Sequence, residues 1–456
     1  MASTLQKVKL KGININVASY LKTIVLIIFI GVSLFLAFHL SINNPDEMMR
    51  YMLPQYLYKH HSLPVGTQRE VIANGANWSY AYYPQWLGPF VSTIFMTIIG
   101  LFNDSGQVML FAARLTSVLA GTLSLFLIRR IVAYITNNEI ISVLVMAMVA
   151  FLPQFTYLSS YVNNDIISVL GVAIIVYAMV RSLDDFWSVK NVVLLAIGVI
   201  TTALSYMNAY GWILAAAMFY LTSAIYLVKQ GKWSWKSAIK TSCILVGVIC
   251  IVVLPFFIRN YIIYHDFTGM SAFHKAYMKY IVAGGKPLQI PYNGSFFNLI
   301  TDKNFYTWMQ MSTIGRFGYL TVNMAPRWYL PFTYLFFFGV ILYIIHVLKA
   351  HGNVHLMKRE AVSLYLSNIL SGALLLGSVI TIGLHLYYCF VIDFQPQGRY
   401  IVTLLIPVAI IMAAGYNELF KRLSEKVQNS AVLVGVVLLF MFNFVVVHRF
   451  ISQLFV

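Results

Sequence analysis

The sequence predicts an all-α integral membrane protein with about eleven spanning helices. Three observations lead there. Charged residues are only 10% of the 456, against about 25% in a soluble domain, too few to cover a water-facing surface. Hydrophobic residues are 60%, with a mean hydropathy of +0.77. The apolar residues fall into runs of about twenty, the length a helix needs to cross the hydrocarbon core. No long polar linker interrupts them, so residues 1–456 read as a single polytopic membrane domain.

Taken in order, the runs lie near 23–40, 108–128, 140–157, 166–181, 190–205, 211–228, 237–257, 330–348, 361–386, 400–419 and 430–448. Short loops rich in Lys and Arg favour the cytoplasm. Lys7, Lys9, Lys11 and Lys22 put the N-terminus inside. Eleven spans then bring Arg129–Arg130, the Lys229–Lys240 cluster, Lys349, Lys358, Arg359, Lys421, Arg422 and Lys426 to the same side. The two long loops, 41–107 and 258–329, face outward. The apolar stretch Gln85–Phe102 would invert every later cluster if it crossed, so it reads as a helix at the outer interface. The net charge of +17 is spread through these loops, with no zinc-ligand spacing or basic arm, which argues against nucleic acid. Cys243, Cys250 and Cys389 sit in or near apolar runs and read as packing residues.

Ionisable residues near the hydrocarbon boundary are costly unless paired or wetted, and so mark candidate sites. Asp46 and Glu47 follow the first span in Asn43-Asn44-Pro45-Asp46-Glu47. Asp165 closes Tyr161-Val162-Asn163-Asn164-Asp165, and Asp393 lies in the last outer loop, where a solvated loop end is the plainer reading. Arg259, Arg316, Arg327 and Arg399 are the outer cations near span ends. A carboxylate removes a hydroxyl proton as a bond forms, and the planar fork of Arg suits a leaving phosphate. The layout suits transfer from a lipid-linked donor to an acceptor arriving from outside.

An Asp-Glu pair soon after the first span, in a long outer loop, resembles the signature of GT-C superfamily glycosyltransferases. The nearer likeness is to the protein-O-mannosyltransferase and aminoarabinose-transferase group and related bacterial membrane proteins. Ala113-Arg114-Leu115-Thr116-Ser117-Val118-Leu119-Ala120-Gly121 resembles the "ARLPSALAG" run opening their second span. Val162-Asn163-Asn164-Asp165 resembles their acidic second outer loop. Phe257-Ile258-Arg259-Asn260-Tyr261-Ile262-Ile263-Tyr264-His265-Asp266 resembles their "RNYxLYGD" segment, with His265 in place of its Gly. Gln397-Gly398-Arg399-Tyr400 resembles their "GRY" run. Arg50 stands four residues after Asp46, where the relatives often have Arg at three. The likeness covers roughly residues 20–410 in order.

The resemblance implies a GT-C-like fold and transfer of a sugar from a polyprenyl-phosphate donor, with inversion, to a glycan, lipid or protein acceptor on the outer face. It implies Asp46 as general base, Glu47 orienting it or binding acceptor, Asp165 as second carboxylate, and Arg259, Arg399 and Tyr400 at the donor phosphate. Some relatives bind a divalent cation. Asp46, Glu47 and Asp165 are hard oxygen ligands, but no spacing compels a metal. A bacterial cytoplasmic membrane is the expected setting. The alternatives are a transporter or flippase of lipid-linked intermediates, which would be expected to show repeated halves and midplane polar sites, and a lipid-linked polysaccharide polymerase or ligase.

Overall fold

A computed structural model describes residues 8–10, 13–15, 17–73, 76–349 and 364–456. Lys7, Lys11, Lys358 and Arg359, used above for orientation, and residues 361–363 of the ninth run lie outside them. The described chain is helical apart from two short hairpins, β1 (Val8–Leu10) with β2 (Ile13–Ile15), and β3 (Arg316–Phe317) with β4 (Val322–Asn323). A chain in lipid must satisfy its backbone N–H and C=O groups internally, which favours helices.

In chain order, α1 (Val17–His39) is followed by α2 (Glu47–His60), α3 (Leu87–Gly100), α4 (Gly106–Thr136), α5 (Glu139–Ala150) and α6 (Pro153–Leu158). Then come α7 (Asp165–Asp185), α8 (Val189–Ala203), α9 (Tyr210–Lys229) and α10 (Trp235–Tyr264). Three loop helices, α11 (Met270–Val282), α12 (Phe296–Thr301) and α13 (Lys303–Ile314), precede α14 (Leu330–Lys349), α15 (Leu364–Tyr387), α16 (Leu405–Phe420) and α17 (Glu425–Arg449). Among the described residues nine helices are long and apolar enough to cross a membrane: α1, α4, α7, α9, α10, α14, α15, α16 taken together with the helical turns Gly398–Leu404 before it, and α17.

The other two expected spans are shorter as helices. α5 has 12 residues and gives way at Phe151. Pro153 lacks an N–H and biases the residue before it toward extended backbone, where Leu152 lies at ψ 116°. α6 then runs for only 6 residues. α8 has 15 residues, about 22 Å at 1.5 Å per residue, against a hydrocarbon core of about 30 Å. The Gln85–Phe102 stretch forms α3, whose 14 residues span about 21 Å, and it packs on α2 and α4.

The centre of the molecule is α5 and α7. Every residue of α5 from Ile140 to Ala150 is buried, as expected of a helix apolar all round. α7 packs against α4, α8 and α9. At the periphery, α10 and α14 turn Ile251, Ile262, Phe337 and Leu348 outward, the arrangement a lipid-facing helix requires. Close approach of α16 to α14 depends on glycine. A Cβ at Gly415 would lie 2.2 Å from the Gly339 carbonyl oxygen, so a side chain forces the backbones apart.

Gly415→Ala should therefore lower thermal stability in detergent, at a cost of about 1–3 kcal/mol. Gly247→Ala, at a position with nothing within 4 Å, should leave the melting temperature within a degree or two of wild type or raise it. Equal effects in thermal unfolding would refute the packing argument.

Candidate active site

The site is built where α1 ends and α2 begins. α1 leaves its last carbonyls without intrahelical partners, as every helix does. Arg114, about two turns into α4, fills them. Its Nη1 donates to the carbonyls of Ala37 (2.9 Å) and Leu40 (2.7 Å), and its Nη2 to that of Ser41 (2.8 Å). Its Nε and Nη2 donate to the two oxygens of Glu47, each at 2.8 Å. All five guanidinium N–H groups are thereby used. Glu47 is fully buried, and its carboxylate also accepts from Asn44 Nδ2 (2.6 Å) and the Val162 N–H (2.8 Å). Tyr157 closes the group by donating its hydroxyl to Asn44 Oδ1 at 2.5 Å. Charge and geometry agree here: a cation meets the C-terminus of α1 and an anion the N-terminus of α2.

Asp46 is one residue away and does something different. Its φ is 62°, in the left-handed region, which Asp and Asn tolerate better than most residues. It precedes α2 yet makes no capping bond to it. Instead its Oδ2 lies 3.0 Å from Nη2 of Arg399. Asp165, the first residue of α7, has its Oδ2 3.9 Å from Nη1 of the same guanidinium. Asp165 Oδ1 is buried without a hydrogen-bond partner. Arg50, one turn into α2, is buried with its guanidinium 4.2 Å from the centre of the Tyr80 ring, and it acts electrostatically on both Asp46 and Asp165. Two carboxylates and two guanidiniums thus share one buried space.

Burial alone would raise the Asp46 pKa, but Arg399 and Arg50, with hydrogen bonds from Arg399 and Tyr80, outweigh it and hold the carboxyl below its ordinary value. The pair contributes its full stability above the ordinary value of 3.8 and loses it as pH falls through the lowered one. Burial and the adjacent Asp46 push Tyr80 upward, so its hydroxyl stays a donor.

Arg399 is itself held by a polar relay. Its Nε donates to Gln397 Oε1 (2.8 Å) and its Nη2 to the Tyr400 hydroxyl (3.2 Å). Tyr400 and Gln397 both donate to Gln395 Oε1, at 2.5 and 2.9 Å. Gln395 donates to Asp393 Oδ2 at 2.5 Å, and Asp393 Oδ1 accepts from the Ile290 N–H at 3.0 Å. Asp393, expected as a solvated loop end, is buried and anchors this relay to loop 258–329. Gly398 is required in it: a Cβ there would sit 2.1 Å from Thr313 Oγ1 and 2.6 Å from Thr313 backbone. From Gly398 a groove of about 280 Å³ runs along Leu152, Phe155, Phe336, Ile401 and Val402, and is almost wholly apolar.

The structure therefore brings together Asp46, Asp165, Arg399 and Tyr400 of the residues singled out in the sequence. Glu47 is engaged on all sides by Arg114, Asn44 and Val162. Arg259 donates from Nη2 to the carbonyls of Leu63 (3.4 Å) and Pro64 (2.7 Å) and lies 5.8 Å from the Trp86 ring centre, with no contact to the other site residues. Sequence reasoning assigned no role to Arg114, Arg50 or Tyr80. Arg114 had a signal, being the one charged residue inside the 108–128 run.

A divalent cation does not fit these side chains as they stand. Among the described residues no group of three or more His, Cys, Asp or Glu is placed to hold a metal. Asp46 and Asp165 already share the Arg399 guanidinium, and Glu47 is saturated by Arg114.

No protein-family model matches the sequence, and no curated protein matches it significantly. Similar folds occur among solved structures. ArnT from Cupriavidus metallidurans bound to undecaprenyl phosphate aligns with a TM-score of 0.50 and 14% identity, over 91% of this chain and 62% of that one. Apo ArnT from the same organism aligns at 0.49 and 15% identity, over 90% and 62%. The archaeal oligosaccharyltransferase AglB from Archaeoglobus fulgidus, in complex with an inhibitory peptide and a dolichol-phosphate, aligns at 0.48 and 12%, over 93% and 55%. This chain spans about 62% of ArnT's length. What it shares with ArnT is the GT-C-like membrane fold.

Glu47→Ala should destabilise the protein by about 3–5 kcal/mol, because it leaves the Arg114 guanidinium buried without its counter-charge. A melting temperature in detergent equal to that of wild type would show that the clamp is dispensable.

Proposed function

Starting from this GT-C-like fold, we propose that the protein is a glycosyltransferase that moves a sugar from a polyprenyl-phosphate donor to an acceptor on the outer face of the membrane. The observation that carries this reading is the Asp46–Arg399 pair beside Asp165, with an apolar groove lined by Gly398, the residue before Arg399. A polyprenyl chain is apolar and its phosphate is anionic. The groove offers the first a surface and Arg399, backed by Arg50, offers the second a cationic end.

In this reading the acceptor hydroxyl attacks the anomeric carbon from the face opposite the phosphate. The carbon–oxygen bond to phosphate breaks, its electron pair stays on the phosphate oxygen, and the configuration inverts. Asp46 takes the hydroxyl proton as the new bond forms. A carboxylate of low pKa is a weak base toward a free hydroxyl, so transfer comes late, when the hydroxyl has become acidic by bonding to carbon. Arg399 and Tyr400 stabilise the charge left on the phosphate. Asp165, with its free oxygen, orients the acceptor. Glu47 is a positioning residue that fixes the αL turn carrying Asp46. Arg259 holds the turn at Leu63–Pro64 through Nη2, and its buried, unpartnered Nη1 is the atom this reading gives to a phosphate oxygen.

The same reading places loops 41–107 and 258–329 on the outer face, with the N-terminus in the cytoplasm of a bacterial cell. Its support is the asymmetry of basic clusters, together with a site whose residues come from those loops and the span ends beside them.

Purified protein in nanodiscs, given a panel of polyprenyl-phosphate sugars and envelope extract as acceptor, should release polyprenyl phosphate. Asp46→Asn should abolish release while keeping the fold. Arg399→Ala should weaken binding of polyprenyl phosphate by at least about tenfold, and Arg259→Ala by less. Near-wild-type turnover by a folded Asp46→Asn protein would remove Asp46 as base. Protein-dependent movement of the lipid between leaflets without release would favour a flippase.

A further inference from the structure

The pairing of Asp46 with Arg399 poses a geometric difficulty for the reaction just described. In an in-line displacement the base and the leaving phosphate lie on opposite faces of the anomeric carbon. A carboxylate 3.0 Å from the guanidinium that is to hold the phosphate is on the phosphate's side. The arrangement in the empty protein is therefore a resting one.

Resting on the glycosyltransferase reading, we propose that Asp46 occupies the place of the donor phosphate on Arg399 when the site is empty, and that the phosphate displaces it toward the acceptor. Four features support the exchange. The nitrogen that meets Asp46, Nη2, is divided between Asp46 and Tyr400 while Nε is committed to Gln397, so a phosphate that takes Nη2 takes it from the carboxylate. The Asp46 side chain is more exposed than its two partners at this ion pair, at 23% against 4% for Asp165 and 7% for Arg399. The Asp46 side chain is not tied to its own helix, since it makes no capping bond to α2. Asp165 stays behind at the buried start of α7, 3.9 Å from Arg399, and keeps the guanidinium partly neutralised. Release from Arg399 also removes the main charge that holds the Asp46 carboxyl low, which makes it a better base once the donor is in place. Donor binding and base activation are then one event, and an acceptor arriving first meets a carboxylate already occupied.

The exchange predicts that a variant without catalysis binds the donor's phosphate more tightly. Competition with a close buried charge is typically worth at least about 1.4 kcal/mol, so Asp46→Asn should bind polyprenyl monophosphate about tenfold tighter than wild type at neutral pH. Asn suits the left-handed backbone at this position, and Asp46→Gly, which also suits it, serves if the Asn variant does not fold. The experiment is a titration of polyprenyl monophosphate into wild type, Asp46→Asn and Arg399→Ala in nanodiscs, read by calorimetry. Tighter binding to Asp46→Asn and weaker binding to Arg399→Ala would support the exchange. Equal or weaker binding to Asp46→Asn, with Arg399→Ala still weakened, would overturn the exchange and leave the donor site standing. No binding to wild type would overturn both.

Discussion

An arginine inside an apolar helix bundle is tolerable only if every donor finds an acceptor and its charge finds a counter-charge. Arg114 meets both conditions through Glu47 and the three carbonyls at the end of α1. Because the partners of Arg114 and Glu47 belong to three pieces of chain, the pair does more than neutralise itself. It fixes the end of α1, the start of α2 and, through the Val162 N–H, the loop entering α7. Asp46 lies within that turn and Asp165 three residues beyond Val162, so both carboxylates that face Arg399 inherit their positions from this one saturated pair.

The contrast between neighbouring acids is chemical. Glu47 has no hydrogen-bonding capacity left, and Asp46 and Asp165 do. Asp46 accepts hydrogen bonds from Arg399 and Tyr80, and Asp165 has a buried oxygen with no partner. Unsatisfied buried polar atoms are rare because they cost about 1–3 kcal/mol each, and they gather where a ligand completes them. The relay from Asp393 through Gln395, Gln397 and Tyr400 keeps Arg399 still while leaving the guanidinium's outer edge open to exchange. Helix packing supports the same end. Gly398 lets the end of α13 lie against this segment, so the relay and the apolar groove start from one point.

Much of this was legible in the sequence, and the limits were physical. Hydropathy located nine long helices, because the length of an apolar run reports membrane thickness directly. Two others fold as shorter helices, because Pro153 interrupts 140–157 and 190–205 is itself a short run. Asp46, Asp165 and Arg399 stood out as ionisable residues at span ends, where charge is expensive. Glu47 stood out for the same reason, but expense is resolved either by a ligand or by an internal partner, and sequence does not say which. Arg259 and Arg399 looked alike, each beside a span and an aromatic, yet one anchors a loop and the other meets the carboxylates.

The sequence by itself determined the class of solvent, the helical architecture and the short set of charged residues from which a site had to be drawn. Those follow from local quantities: hydrophobicity per segment, helix length, and the cost of each isolated charge. The tertiary structure alone decided the pairing: Glu47 with Arg114, 67 residues apart, and Asp46 with Arg399, from opposite ends of the chain. The physical reason is that the energy of a buried ion depends on what lies within a few ångströms of it. In a bundle of many helices that neighbourhood is set by which faces pack together.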